Sequence, residues 1–154
     1  MVPLIMFVMS AGPLAGAYLS QYGFGYQPCP LCLYQRVPYF VIAGVSILML
    51  LLAAKSSVPR FLFLCALLFL INAGIAGFHT GVEQHWWEGL EGCQDNIVAE
   101  TIEDLRAKIM ATPIARCDEP AFLFLGLSMA AWNAFYATGA AIFTFMLFGR
   151  YVRD

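Results

Sequence analysis

Four apolar runs, each close to the length of a membrane-crossing helix, occupy most of this 154-residue chain and leave it little choice of fold. A helix rises about 1.5 Å per residue, so roughly 20 apolar residues carry it across the hydrocarbon of a bilayer. The runs lie at about 2–20, 33–54 and 61–78, with the fourth inside Ala121–Phe148. Lipid offers no partner to an open backbone, so runs of this length must be helices. The chain therefore reads as an all-α integral membrane protein, an antiparallel four-helix transmembrane bundle forming a single membrane domain over residues 1–154. With 61% hydrophobic and 12% charged residues, its composition lies far from that of soluble domains.

The fourth run is longer than one upright helix needs. Trp132, a residue type that anchors at the membrane interface, divides it into a surface stretch, Phe122–Met129, and a span at 133–148. Ala15-Gly16-Ala17 resembles a leader-cleavage site, but no basic segment precedes it and Pro3 begins the run almost at once, so the first run reads as a retained span. Gly12 and Gly16 are spaced for close helix packing. Short links force the first three spans to alternate in direction. The external loops are then 21–32 and 79–132. Lys55 and Arg60 fall between the second and third spans and Arg150 and Arg153 in the tail, which makes that side, with both termini, cytoplasmic. The second external loop begins with a segment, His79–Pro120, that holds nine of the ten carboxylates. A net charge of −2 gives no reason to expect a nucleic-acid partner.

Of the five cysteines, Cys29 and Cys32 lie in the first external loop and Cys93 and Cys117 in the second, facing one oxidising compartment. A zinc site of four thiolates would show two closely spaced pairs, whereas Cys93 and Cys117 are far apart, so no metal is expected. Plain stapling of the two loops is the competing reading. Against it stands the setting of Cys29-Pro30-Leu31-Cys32. Pro30 suits the first position of a helix, which puts Cys29 near the N-cap and Cys32 in the first turn, where the helix dipole favours thiolate. Arg36, one turn beyond Cys32, adds positive charge near the sulfur, and a reactive, low-pKa thiolate is the expected result. Snorkelling of Arg36 toward lipid phosphate is the structural alternative.

Smaller signals surround this pair. His79, near the external end of the third span, reads either as an interfacial histidine or as a donor or proton relay. His85, Trp86 and Trp87 form an interface belt. Val98, Ile102, Leu105 and Ile109 recur at helical spacing with Glu100, Glu103 and Asp104 between them, which predicts an amphipathic helix lying on the bilayer. Pro38 predicts a kink in the second span. Cys65, deep within the third span, reads as a small buried hydrophobe outside any relay.

Cys-Pro-Leu-Cys-Leu-Tyr-Gln-Arg at 29–36 opening the second span, Phe78-His79-Thr80 ending the third, and Cys93 and Cys117 in a long second loop together resemble the disulfide bond formation protein B (DsbB) family. The segment Cys117-Asp118-Glu119, with Phe124-Leu125-Gly126-Leu127-Ser128-Met129 after it, resembles the stretch before that family's fourth span. The likeness covers nearly the whole chain. It implies an enzyme of the bacterial inner membrane, a protein-dithiol:quinone oxidoreductase that reoxidises a DsbA-like periplasmic thiol oxidase and passes the electrons to ubiquinone or menaquinone. In that scheme the active cysteines are periplasmic. Cys93 takes the attack of the partner and Cys117 passes reducing equivalents to Cys29. Cys32 lies beside the quinone, with Arg36 on a quinone oxygen and His79 near its headgroup.

Two other classes compete with this reading. Vitamin K epoxide reductase-like proteins also combine a four-helix bundle, two cysteine pairs and a quinone, but their Cys-x-x-Cys comes late in the chain, whereas here it comes first. A non-enzymatic membrane scaffold with stapled external loops would hold disulfides that exchange with no partner.

Overall fold

The structure, a computed structural model, describes residues 1–52, 57–90, 101–111 and 115–153. Helix α1 spans Val2–Tyr18, with Pro3 in its first turn, and runs on as a turn of π-helix, Leu19–Gly23. Gly25, at φ +76°, then turns the chain back toward the bundle, a conformation that side chains with a Cβ seldom adopt. Helices α2 (Pro30–Leu52) and α3 (Val58–Glu83) follow, α3 again with proline in its first turn. The short helix α4 (Ile102–Ala111) carries Glu103 and Asp104 in its first turn, and the Thr101 hydroxyl caps it by accepting the Asp104 N–H at 3.1 Å. A two-residue hairpin, β1 (Leu123–Phe124) with β2 (Leu127–Ser128), leads into α5 (Met129–Arg153). Leu125 and Gly126 both take positive φ, at 52° and 78°, as a tight type I′ hairpin turn demands.

Four of these helices, Val2–Gly23 (counted with its π turn), Pro30–Leu52, Val58–Glu83 and Met129–Arg153, are long and apolar enough to cross a membrane, which makes the protein an all-α membrane bundle. Helix α3 packs most extensively on α5, α1 on α2, and α2 on α3. The ring closes where the Tyr136 hydroxyl of α5 donates to the Met9 carbonyl of α1 at 2.6 Å. Met6, Ile42, Leu62, Cys65 and Phe69 fill the centre, while Leu4, Val8, Phe40, Leu48, Leu70 and Phe135 point outward to where lipid would lie. Lipid is as apolar as leucine, so it is packing and interhelical hydrogen bonds that hold such helices together.

Several ends differ from those predicted. Helix α5 starts at Met129 rather than 133, because Ser128 caps it there: its Oγ accepts the Ala131 N–H at 3.1 Å. Trp132 thus sits in the first turn of α5 and anchors the hairpin, its indole N–H donating to the Phe124 carbonyl at 3.0 Å. Helix α3 continues past 78 to Glu83, bringing His79 and Glu83 onto a helix and out of the predicted loop. Helix α2 begins at Pro30 and runs unbroken through the buried Pro38. Cys65 is fully buried, as its reading required. The amphipathic helix exists from Ile102, with Ile102 and Met110 exposed. Lys55, Cys93, Val98 and Glu100 lie outside the described residues, as do the side chains of Leu105 and Ile109.

Candidate active site

The site forms where the N-termini of α2 and α5 meet the C-terminal end of α3. Cys29 is the N-cap of α2: its carbonyl accepts the Leu33 N–H at 3.1 Å and its sulfur accepts the Cys32 N–H at 3.2 Å. Pro30 occupies the next position, where a missing N–H costs nothing. The i, i+3 spacing brings the two sulfurs to 2.7 Å, with the Cys29 thiol directed at Cys32. Cys29, Cys32 and Cys65 are free thiols among the described residues, whereas Cys117 is disulfide-bonded. Cys117 and Cys29 are both buried and share one cluster with Leu31 and Val82. The loop before α2 and the segment before the hairpin therefore meet at their cysteines.

The lowered pKa expected of a thiolate at this helix terminus does not extend to Cys29: donation of its thiol to Cys32, and burial, both push it above the ordinary thiol value. Cys29 is thus the member of the pair that keeps a proton. Arg36 does not snorkel outward. Its guanidinium donates to Gln21 Oε1 at 2.7 Å and lies 4.9 Å from the centre of the Tyr18 ring, held against the end of α1.

Around the cysteines runs a buried polar network that sequence reasoning largely missed. His79 Nε2 lies 3.5 Å from Cys29 Sγ and 3.9 Å from Glu83 Oε1, one helical turn on. Gln35 Nε2 meets His79 Nδ1 at 2.7 Å, Asn133 Nδ2 donates to Gln35 Oε1 at 2.7 Å, and the Tyr39 hydroxyl donates to Asn133 Oδ1 at 2.6 Å. Ser128, while capping α5, also donates its hydroxyl to Glu83 Oε2. Glu83 is the one carboxylate that falls within a spanning helix among the described residues, a costly placement that marks it as functional by default. A polar residue inside an apolar run was the available signal for Gln35 and Asn133. The placement of His79 in the third helix and beside the cysteines gives it a defined partner set in place of an open interface.

Sγ of Cys29, Sγ of Cys32 and a ring nitrogen of His79 all lie within 4.8 Å of one another, a soft donor set that the four-cysteine metal reading did not consider. Next to them opens a cavity of about 830 Å³ between α1, α2 and α5, with Cys32, Arg36, His79, Tyr26 and Asn133 on its wall. That size, a mainly apolar lining and a few convergent polar groups suit a small planar ligand with polar oxygens. Outside the spans, Arg116 grips the neighbouring Asp118 with two hydrogen bonds, at 2.9 and 2.6 Å, and holds its carboxyl below the usual carboxylate range.

A cysteine pair at the N-terminus of a membrane helix, with a cysteine from the segment between α3 and α5 packed on it, is a specific arrangement, and the family model for disulfide bond formation protein DsbB matches residues 1–147. This chain belongs to the DsbB family. Among curated relatives, disulfide bond formation protein B of Xylella fastidiosa (strain 9a5c) is 31% identical over 142 residues, covering 88% of this chain and 82% of the relative. The protein of the same name from Marinobacter nauticus is 29% identical over 158 residues, covering 96% and 90%. An uncharacterized protein of Rickettsia prowazekii is 29% identical over 133 residues, covering 84% and 76%. No solved structure matches the chain. As a DsbB-family member with four spanning helices, the protein is a multi-pass membrane protein of disulfide-bond formation.

Proposed function

We propose that this DsbB-family protein is a protein-dithiol:quinone oxidoreductase of the bacterial inner membrane. It takes electrons from a reduced DsbA-like periplasmic oxidase by thiol–disulfide exchange and delivers them to ubiquinone or menaquinone. The observation that carries the reading is the position of Cys29 and Cys32: both line the cavity, both pack in the cluster that holds Cys117, and their sulfurs are 2.7 Å apart. Exchange needs an attacking thiolate, an accessible sulfur and a good leaving thiol. Closing the S–S bond, near 2.05 Å, asks little motion from this starting point.

A bound quinone would supply the two-electron acceptor. The chain's own residues do the rest. Arg36, fixed by Gln21 and Tyr18, would hold a bound quinone by offering it positive charge. Cys32 faces the cavity as the electron-donating sulfur, and Cys29 re-forms the disulfide with it. Cys93, outside the described residues, is assigned the attack of the partner's thiolate from the family resemblance. Arg60, Arg150 and Arg153 lie at the helix ends away from the cysteines, which supports cytoplasmic termini and a periplasmic site.

The test follows ubiquinone absorbance in detergent on addition of reduced DsbA. Rapid quinone loss is expected, and Cys32→Ser and Cys93→Ser should each abolish it. An intact quinone signal together with external disulfides left oxidised would overturn the reading and return weight to a stapled scaffold.

A further inference from the structure

Buried amides and hydroxyls in series can satisfy one another in either of two directions, because each amide offers a donor at one end and an acceptor at the other. Here the direction runs from the Tyr39 hydroxyl to Asn133, from the Asn133 amide to Gln35, and from the Gln35 amide to His79 Nδ1. Nδ1 is thereby an acceptor, which leaves the proton of the neutral ring on Nε2. The surroundings of Nε2 agree, since the groups nearest it can accept: Cys29 Sγ at 3.5 Å and Glu83 Oε1 at 3.9 Å. At the far end of the series, Asn72 is fully buried with its amide turned to the Tyr39 hydroxyl, yet neither its nitrogen nor its oxygen reaches full hydrogen-bond geometry. An orphaned amide in a membrane core is costly and calls for a reason. A Tyr39 hydroxyl turned to Asn72 Oδ1 supplies one. Asn133 and Gln35 would then reverse, and His79 would carry its proton on Nδ1 with a bare Nε2 facing Cys29.

We propose that Asn72, Tyr39, Asn133 and Gln35 form a reversible hydrogen-bond chain that sets the tautomer of His79, and so decides whether Cys29 meets a donor or a lone pair. The use of this device rests on the redox reading above; its geometry does not. In the direction seen, Nε2–H steadies the Cys29 sulfur as a thiolate when its disulfide opens. In the reversed direction Nε2 accepts the Cys29 proton as the disulfide closes. The S–H bond breaks, an N–H bond forms, and the resulting imidazolium faces Glu83. The sulfur's electron pair enters the new S–S bond, and Cys32, reacting as the thiolate with its own proton already lost to solvent, passes two electrons to an external oxidant, a quinone in turnover or diamide in the test. Tyr39, Asn133 and Asn72 are positioning residues, acting on Cys29 only through Gln35 and His79.

The tautomer is read directly by nitrogen-15 NMR of histidine-labelled, quinone-free protein in micelles, with His85→Asn leaving His79 as the sole histidine. The parent should show a single tautomer protonated on Nε2; protonation on Nδ1 would overturn the proposal. Asn133→Leu should collapse this into a mixture, and Tyr39→Phe reads the same point should that variant not fold. A single Nε2–H tautomer retained in the folded variant would also overturn it. Asn72→Leu removes the alternative acceptor and an unsatisfied amide together. It should keep the Nε2–H tautomer and at least the parent's thermal stability, yet slow diamide closure of the Cys29–Cys32 disulfide about tenfold. An unchanged closure rate in that variant would rule out reversal. None of these readings needs DsbA or quinone, so their failure is separable from failure of the redox function.

Discussion

Around Phe69 the helices meet through apolar side chains, whereas between Gln35 and Glu83 the same helices meet through hydrogen bonds. Helix α3 contains both solutions on one face. Its buried residues Leu62, Cys65, Phe69, Asn72, Ala76, His79 and Glu83 advance by three or four positions, a single helical stripe that turns from apolar to polar at Asn72. The apolar half can repack by small shifts, since any well-fitting side chain satisfies it. The polar half cannot, because its donors and acceptors must stay paired at fixed positions, and a group left unpaired in a membrane core is costly. The polar half is thus the part of the bundle specified atom by atom, and it is the part that touches the cysteines. Tyr39 joins the two, its ring centre 6.1 Å from that of Phe69 and its hydroxyl on Asn133.

The strongest way to break this division is to damage the apolar half alone. Phe69 is fully buried, and Phe69→Ala should destabilise the bundle by about 3–5 kcal/mol, the usual cost of deleting a buried ring and leaving a cavity. Reversible unfolding in mixed SDS micelles would measure it. In the fraction that remains folded, alkylation of Cys29 and Cys32 should proceed at the parent rate within about twofold. A large change in thiol reactivity at unchanged fold would mean that the halves are one unit, coupled through Tyr39.

The two halves were not equally legible in the sequence. The four spans and the buried Cys65 follow from run length and hydropathy, because lipid imposes one coarse rule on every residue that faces it. The cysteine pair was legible too, since Pro30 and the start of an apolar run mark a helix N-terminus. The network was not. Glu83 was counted with a loop because carboxylates are expected in loops, and its partner Ser128 is distant in sequence and belongs to another helix. Likewise, Asn133 reads in the sequence only as the first residue of a span, and nothing local pairs it with Gln35. Hydropathy reports which side chains enter the membrane but carries no information on which polar pairs meet there. That the low pKa stops short of Cys29 has a related reason: the helix terminus is visible in the sequence, while the burial and the neighbouring sulfur that oppose it are not.

A smaller effect sharpens the boundary of the polar half where α3 ends. A Cβ on Gly81 would overlap Cζ2 of Trp87, whose ring stacks on Phe78 and whose indole N–H donates to the Phe78 carbonyl at 3.0 Å. The belt tryptophan is therefore folded back on α3 just beside His79. Gly81→Ala must expel that ring, at about 1–3 kcal/mol for an overpacked contact. Trp87 emission should become more accessible to iodide, read in a variant that lacks the other two tryptophans. Cys29 alkylation should accelerate with it if the ring helps to shield the site. Unaltered quenching would show that the tryptophan is held by the interface rather than by the glycine.

The smallest effect is expected at Cys117, outside the membrane, where the polar half depends on an ion pair that solvent can reach. Arg116 is about half exposed, its side chain 49% accessible, so its grip on Asp118 is weakened by solvent screening. The Asp118 carboxyl is held below its unfolded value near 3.9, so its contribution is fully present above that pH and is lost as pH falls through the lower folded value. Asp118→Asn should therefore speed reduction of the Cys117 disulfide by a water-soluble phosphine about two- to threefold at pH 7. The difference between variant and parent should shrink toward zero in acid, below the ordinary carboxylate range, and high salt at pH 7 should shrink it too. A difference that persists unchanged at low pH would assign the protection to loop packing in the Cys29–Cys117 cluster, and the polar half would then end at the membrane surface.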